Sequence, residues 1–161
     1  MTNTPKKVLI AVDGTERDRS VVRQALDLFG DDADYVVMCV SPEPAAMGAA
    51  SVSYATASAF SAPSLSYFAD GLDADAHEAE GVAERAADEA GISDAETVGE
   101  VGNPALVLLQ QAAESRVDVM VVGASERSWF SRLFEPSVEA LVLNRAICPV
   151  LVVHPISPAP K

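Results

Sequence analysis

Four stretches of this chain are apolar almost without interruption: KVLIAV at 7–12, YVVMCV at 35–40, VDVMVVG at 117–123 and VLVV at 150–153. They are too short to be amphipathic helices, and they lack the alternation of a strand that is wet on one face. Such runs fit strands buried on both faces of a parallel sheet. Parallel neighbours need a crossover of a dozen or more residues, usually a helix. The segments between these runs are long enough to provide one.

Taken in order, Lys7–Val12 is the first strand, and Asp13-Gly14-Thr15 punctuates it. Thr15 or Asp13 is the expected N-cap of a helix over 16–29, with Glu16 and Asp18 placed favourably for its dipole. Val21, Val22, Ala25, Leu26 and Phe29 recur at helical spacing, and Gly30 stops the run. Tyr35–Val40 is the second strand. Ser41–Pro63 is rich in Ala, Ser, Pro and Gly and has no clean period, so it is expected to be a long surface loop. Leu72–Ala90 is a helix with a small-residue stripe of Ala76, Ala79, Val82, Ala83 and Ala86. A third strand covers Ala95–Val101. Gly102-Asn103 is a turn, and Pro104 opens a helix to about Glu114.

The chain closes on a strand–loop–helix–strand unit. Strand Val117–Gly123 leads into the loop ASERSWFSRLFEP, then a short helix from about Ser137 to Arg145, then Val150–Val153. The alternation of strand and helix predicts an α/β fold, an open, doubly wound parallel sheet of five strands with right-handed crossovers. Ligand crevices in such sheets lie beyond the carboxyl ends of the strands. Residues 1–155 are expected to form one domain, and the Pro-rich residues 156–161 a flexible tail.

Composition narrows the function classes. With 24 acidic against 11 basic side chains the net charge is −13, which opposes binding to nucleic acid or to anionic membranes. Lysine occurs only at 6, 7 and 161. An acid-rich, lysine-poor surface suits either a salt-loaded cytoplasm or an ordinary acidic bacterial protein. No apolar run approaches the roughly 20 residues that cross a bilayer, and the polar MTNTPKK start has no secretory character, so a cytoplasmic location is expected. Cys39 and Cys148 lack Cys or His neighbours at ligand spacing and read as small buried groups. No Ser, Cys or carboxylate constellation is expected around either histidine, and the chain has no nucleophile motif of the strand–turn–helix type. His77 reads as a solvated helix residue and His154 as a strand-end residue, and the chain is expected not to be an enzyme.

Three segments together, KVLIAVDGT, GNPA and VDVMVVGASERSWFSRLFEPSVEALVLNRAICPVLVV, resemble the universal stress protein family over nearly the whole chain. The resemblance implies an adenine nucleotide α-hydrolase-like fold with strand order 3-2-1-4-5. In that order Cys39 and Cys148 stand too far apart to bridge. ATP-binding members carry a signature of Gly, two residues, Gly, nine residues, Gly, then Ser or Thr. Its glycines let main-chain N–H groups curl around phosphate, and the last step opens a helix whose N-terminus faces the anion.

Here the first and last members persist as Gly123 and Ser137, but the middle glycine is Glu126 and the third is Pro136. A like charge at about 4 Å costs on the order of 1–4 kcal/mol in wet surroundings. Pro136 has no N–H to give, and a lost charge-assisted bond costs roughly 1.5–3 kcal/mol. Together they weaken triphosphate binding by on the order of a hundredfold or more.

The resemblance still implies an adenosine end, with Asp13 against the nucleoside and Val12 and Val40 beside the base. Toward the phosphates, Ser125, Ser128 and Ser131 offer hydrogen bonds and Arg127 and Arg132 offer charge, with Ser137 and Val138 at the helix start. Asp13 is equally a turn residue, and Arg127 has Glu126 and Glu135 as alternative partners. The expected function is a stress-response regulatory dimer with weakened or lost ATP binding. It would require no cofactor and act through protein contacts or a smaller anion. The alternative is an ATP- or AMP-binding regulator using the crevice between strands 1 and 4. Family members pair the last strand across a two-fold axis, so a homodimer through Val150–Val153 is expected. Trp129 and Phe130 are the expected anchor for a protein partner.

Overall fold

The computed structural model describes residues 6–42, 62–124 and 145–154, with residues 62–69 as backbone only. The elements are β1 (Lys7–Val12), α1 (Asp18–Phe29), β2 (Asp34–Pro42), α2 (Ala62–Ala90), β3 (Glu96–Gly102), α3 (Pro104–Glu114), β4 (Val119–Gly123) and β5 (Val150–Val153). The strands form one sheet in the order β3-β2-β1-β4-β5, and every neighbouring pair is parallel. This is the doubly wound architecture expected from the sequence.

β1 is central, and Val8, Leu9, Ile10 and Val12 are each 0% exposed. Its side chains alternate between two cores. Val8, Ile10 and Val12 join Val21, Val22 and Ala25 of α1 and Ala79, Ala83, Ala86 and Ala87 of α2 on one face. Leu9 and Ala11 join Leu108 and Ala112 of α3 on the other. Cys39 belongs to the first core and Cys148 packs against the second, so the sheet separates the two thiols. The alanine stripe lets α2 lie close to the sheet, and Gly99 in β3 completes the fit. A Cβ there would fall on the main-chain oxygen of Ala76 and the main-chain nitrogen of Glu80.

Several boundaries differ from the sequence reading. β2 runs on to Pro42, and α2 begins at Ala62, so the expected loop loses both of its ends; its interior, 43–61, lies outside the described residues. Helix α1 starts at Asp18, and neither Thr15 nor Asp13 caps it: Arg17 holds the N-cap position, and its side chain does not cap the helix. Asn103 does cap α3, its Oδ1 accepting from Leu106 N at 3.2 Å. The closing helix and the tail lie outside the described residues, apart from the helical Arg145. Among the described residues no helix is long and apolar enough to cross a membrane.

Candidate functional site

The strand order reverses direction between β1 and β4, and this is the topological switch point of the sheet. The register pairs Ala11 with Val122, so Asp13 and Ala124 leave the sheet at the same edge. Val153 extends that edge, accepting from Ala124 N at 2.7 Å.

Asp13 and Gly14 turn the chain from β1 into α1, with Gly14 at φ 81°, a backbone state that favours glycine. Thr15 N donates to Asp13 Oδ1 at 3.2 Å, the local turn that a short carboxylate makes with its own backbone. Asp18 then reaches back. Its Oδ1 accepts from Asp13 N at 3.1 Å and its Oδ2 from Gly14 N at 2.7 Å. Asp18 is only 8% exposed.

Burial pushes the Asp18 carboxyl up to about 7. The Asp13 charge and side-chain bond add to the rise, while the main-chain donors of Asp13 and Gly14 oppose it. Cys39 lies close by. Burial first, then the charges of Asp18 and Asp13, push its thiol up to about 12 against the pull of Arg85. It is a neutral packing group at physiological pH. Next to the pair, between α1 and α2, opens a pocket of about 380 Å³ lined by Gly14, Thr15, Asp18, Arg19, Val82 and Arg85, among others.

Of the site residues expected from the sequence, Asp13 and Gly123 stand at the two strand ends that form the crevice. Val12 and Val40 are 0% and 2% exposed and belong to opposite cores, so the structure does not bring their side chains together. Ser125, Arg127, Ser137 and Val138, with Glu126, Ser128, Trp129, Phe130, Ser131, Arg132 and Pro136, lie outside the described residues. Gly123 has a packing role of its own: a Cβ there would stand 2.7 Å from Val21 Cγ2. His77 is exposed and pairs with Glu80 at 3.7 Å. His154 is exposed too, its carbonyl accepting from Gln24 Nε2 at 3.0 Å.

Asp18 lies in the first turn of α1, where the sequence placed it, but its burial was not anticipated: it sits on the stripe it shares with Val21, Val22 and Ala25. The 18–21–22–25 spacing carried that signal.

The sequence matches the universal stress protein family over residues 4–154. Among solved structures, a universal stress protein in complex with cAMP is 24% identical, with 96% of this chain and 100% of that one covered and a TM-score of 0.53. Universal stress protein UspA from Lactobacillus plantarum is 20% identical, covering 92% of this chain and 97% of its own, at a TM-score of 0.59. A universal stress protein family protein from Arabidopsis thaliana, with AMP bound, is 16% identical, with 96% and 97% covered and a TM-score of 0.55. Comparison with curated proteins gives no match. At these identities the structural likeness is one of fold. Because the family match runs from before β1 to the end of β5, and the chain folds as these relatives do, it belongs to the universal stress protein family.

Proposed function

We propose that this chain is a stress-response regulatory homodimer whose crevice keeps the adenosine end of a nucleotide site but grips a triphosphate weakly. Its small-molecule ligand is then of the nucleoside monophosphate class, and its output is protein contact rather than catalysis. The observation that carries this reading is the packing of Gly123. Its missing side chain makes room for Val21, so the one signature glycine left in the chain is needed by the fold whether or not phosphate binds. With Glu126 and Pro136 at the other two positions, no glycine remains whose presence calls for a phosphate. Asp13, by contrast, stands at the open end of β1 with its carboxylate anchored by Thr15 N. Relatives of the same fold have been crystallised with cAMP and with AMP, ligands that carry a single phosphate.

The dimer is supported by the edge position of β5, which among the described residues pairs with β4 alone, and by Val152 and Ile147, 39% and 66% exposed. Adding a second β5 across a two-fold axis would satisfy that edge. A full ATP site is the second reading, and the placement of Asp13 favours it.

The test is the variant Glu126→Gly with Pro136→Gly. Calorimetric titration should find ATP binding on the order of a hundredfold tighter than in the parent. If the double variant binds ATP no better, the loop does not set phosphate affinity and the proposal fails.

A further inference from the structure

The free edge of β5 offers a small, defined set of bonding groups. Met120 N donates to Pro149 O at 3.0 Å, and Ala124 N donates to Val153 O at 2.7 Å. Main-chain groups of successive strand residues point to opposite sides, so Pro149, Leu151 and Val153 face β4. Val150 and Val152 therefore point outward, and so does His154 just past the strand.

The His154 carbonyl is already bonded. Gln24 of α1 donates to it from Nε2 at 3.0 Å. The same nitrogen lies 3.2 Å from Ser20 Oγ and 3.3 Å from Ser20 O, one turn back on the helix. At the other end the chain bends through Ile147 and Cys148 before the strand begins. Among the described residues, Val150 and Val152 are left with outward N–H and C=O groups that have no partner.

Charge decides what can cover this edge. All 24 acidic residues lie at or before Glu139, and residues 140–161 hold none. A second copy carries the same net charge of −13, and two such chains repel wherever their acids meet. The acid-free edge, with Val152 39% and Ile147 66% exposed, is where a like-charged copy approaches at least cost.

We infer that two copies pair β5 antiparallel about a two-fold axis at Leu151, with Val150 of each opposite Val152 of the other, and that Gln24 selects this register by holding the His154 carbonyl. The inference rests on the homodimer proposed above. In this register both outward residues exchange N–H···O bonds across the axis, and Leu151 meets its own copy as a non-hydrogen-bonded pair. An axis at Val152 would set Val150 opposite His154, whose carbonyl is bonded to Gln24, and leave the Val150 N–H unpaired. An axis at Val150 would set Val152 against Cys148, in the bend.

Disulfide trapping in the full chain reads the register. Non-hydrogen-bonded antiparallel partners stand about 4.5 Å apart at Cα, within the disulfide range of about 4.4–6.8 Å. Leu151→Cys should therefore link into covalent dimers under mild oxidation, above the level that Cys39 and Cys148 give in the parent. Val152→Cys should not, because its copy lies about 7–8 Å away on the diagonal. A mixture of Val150→Cys and Val152→Cys proteins gives an independent reading: these sites face each other at about 5.5 Å and should link, as mass spectrometry of the joined peptides would show. Gln24→Glu keeps the side-chain shape but loses the N–H donor and frees the His154 carbonyl. In that background the Leu151→Cys link should fall and the Val152→Cys link should rise.

Sedimentation equilibrium of the parent keeps the two possible failures apart. A monomeric parent overturns the homodimer and the register together. A dimeric parent in which Leu151→Cys links no better than Val152→Cys, or in which the mixed pair does not link, overturns the register alone. Links at Leu151→Cys that Gln24→Glu leaves unchanged overturn the role of Gln24.

Discussion

Substituting Gly123 by alanine separates a packing role from a phosphate role. The glycine does not occupy the left-handed region, so an alanine can adopt its backbone conformation. On that ground alone the change would stabilise by about 0.4–1 kcal/mol through the unfolded chain. Against this, the new Cβ would stand 2.7 Å from Val21 Cγ2, roughly 1 Å inside the ordinary carbon–carbon contact of about 3.5–4.0 Å. Val21 is 3% exposed and, being β-branched in a helix, has essentially one rotamer. The contact is relieved either by forcing that rotamer or by lifting α1 from β4. Lifting the helix would also loosen Val22 and Ala25, both 0% exposed.

Overpacking of this kind costs about 1–3 kcal/mol, so Gly123→Ala should lower stability by about that much with no nucleotide present. Val21→Ala alone removes two methyl groups and should cost on the order of 2 kcal/mol. In the double variant the clash is gone, and stability should match that of Val21→Ala alone, a coupling of about 1–3 kcal/mol. Urea unfolding followed by far-ultraviolet circular dichroism reads all four corners of the cycle. A Gly123→Ala protein within about 0.5 kcal/mol of the parent, a range typical of surface changes, or additive losses in the double variant, would refute the packing role.

Four further outcomes are expected of single substitutions and of pH. Gly99→Ala places its Cβ on the main chain of α2 at Ala76 and Glu80; because a helix backbone does not yield locally, a loss at or beyond the roughly 3 kcal/mol end of overpacking is expected in urea melts. Asp18 has a folded pKa near 7 against 3.8 for the free group, so the folded state holds more protons between those values and stability must fall as pH rises from about 4 to 7, by on the order of 4 kcal/mol at most. Asp18→Asn should flatten that profile, leaving the variant less stable than the parent at pH 5 and more stable at pH 8 by urea midpoint. Tyr35→Phe removes the 2.7 Å bond that Tyr35 Oη donates to the Gly30 carbonyl and should cost about 1 kcal/mol in the same assay. Asn103→Ala removes the side-chain cap of α3, for a loss of about 0.5–2 kcal/mol.

β1, β2 and β4 were legible in the sequence because they are buried on both faces and so appear as unbroken apolar runs; β5 reads the same way but lies at the sheet edge and is partly exposed. α3 was legible because Asn103, Pro104 and Glu114 mark its two ends. The extra length of α2 was not, since Pro63, Ser64, Ser66 and Gly71 are poor helix formers and the alanine-rich stretch before them has the composition of a loop. Asp18 was legible as a first-turn acid, but its burial was not: helical phase puts it beside Val21 and Val22, and the two main-chain donors of the β1–α1 turn hold it there. Gly123 shows how a motif position can serve two demands. The signature named it as a phosphate contact, and nothing in the sequence indicated that Val21, 102 positions earlier, would pack where its side chain is missing. The crevice was legible in its location, because strand order alone places it, whereas the placement of Val12 and Val40 in opposite cores became apparent only once the sheet was assembled.

The most direct measurement is a side-by-side calorimetric titration of the parent protein with AMP and with ATP at one salt concentration and pH. If the crevice holds adenosine but not a triphosphate, AMP binds measurably and ATP binds no more tightly than AMP. ATP bound stoichiometrically at micromolar affinity, and more tightly than AMP by tenfold or more, would contradict it.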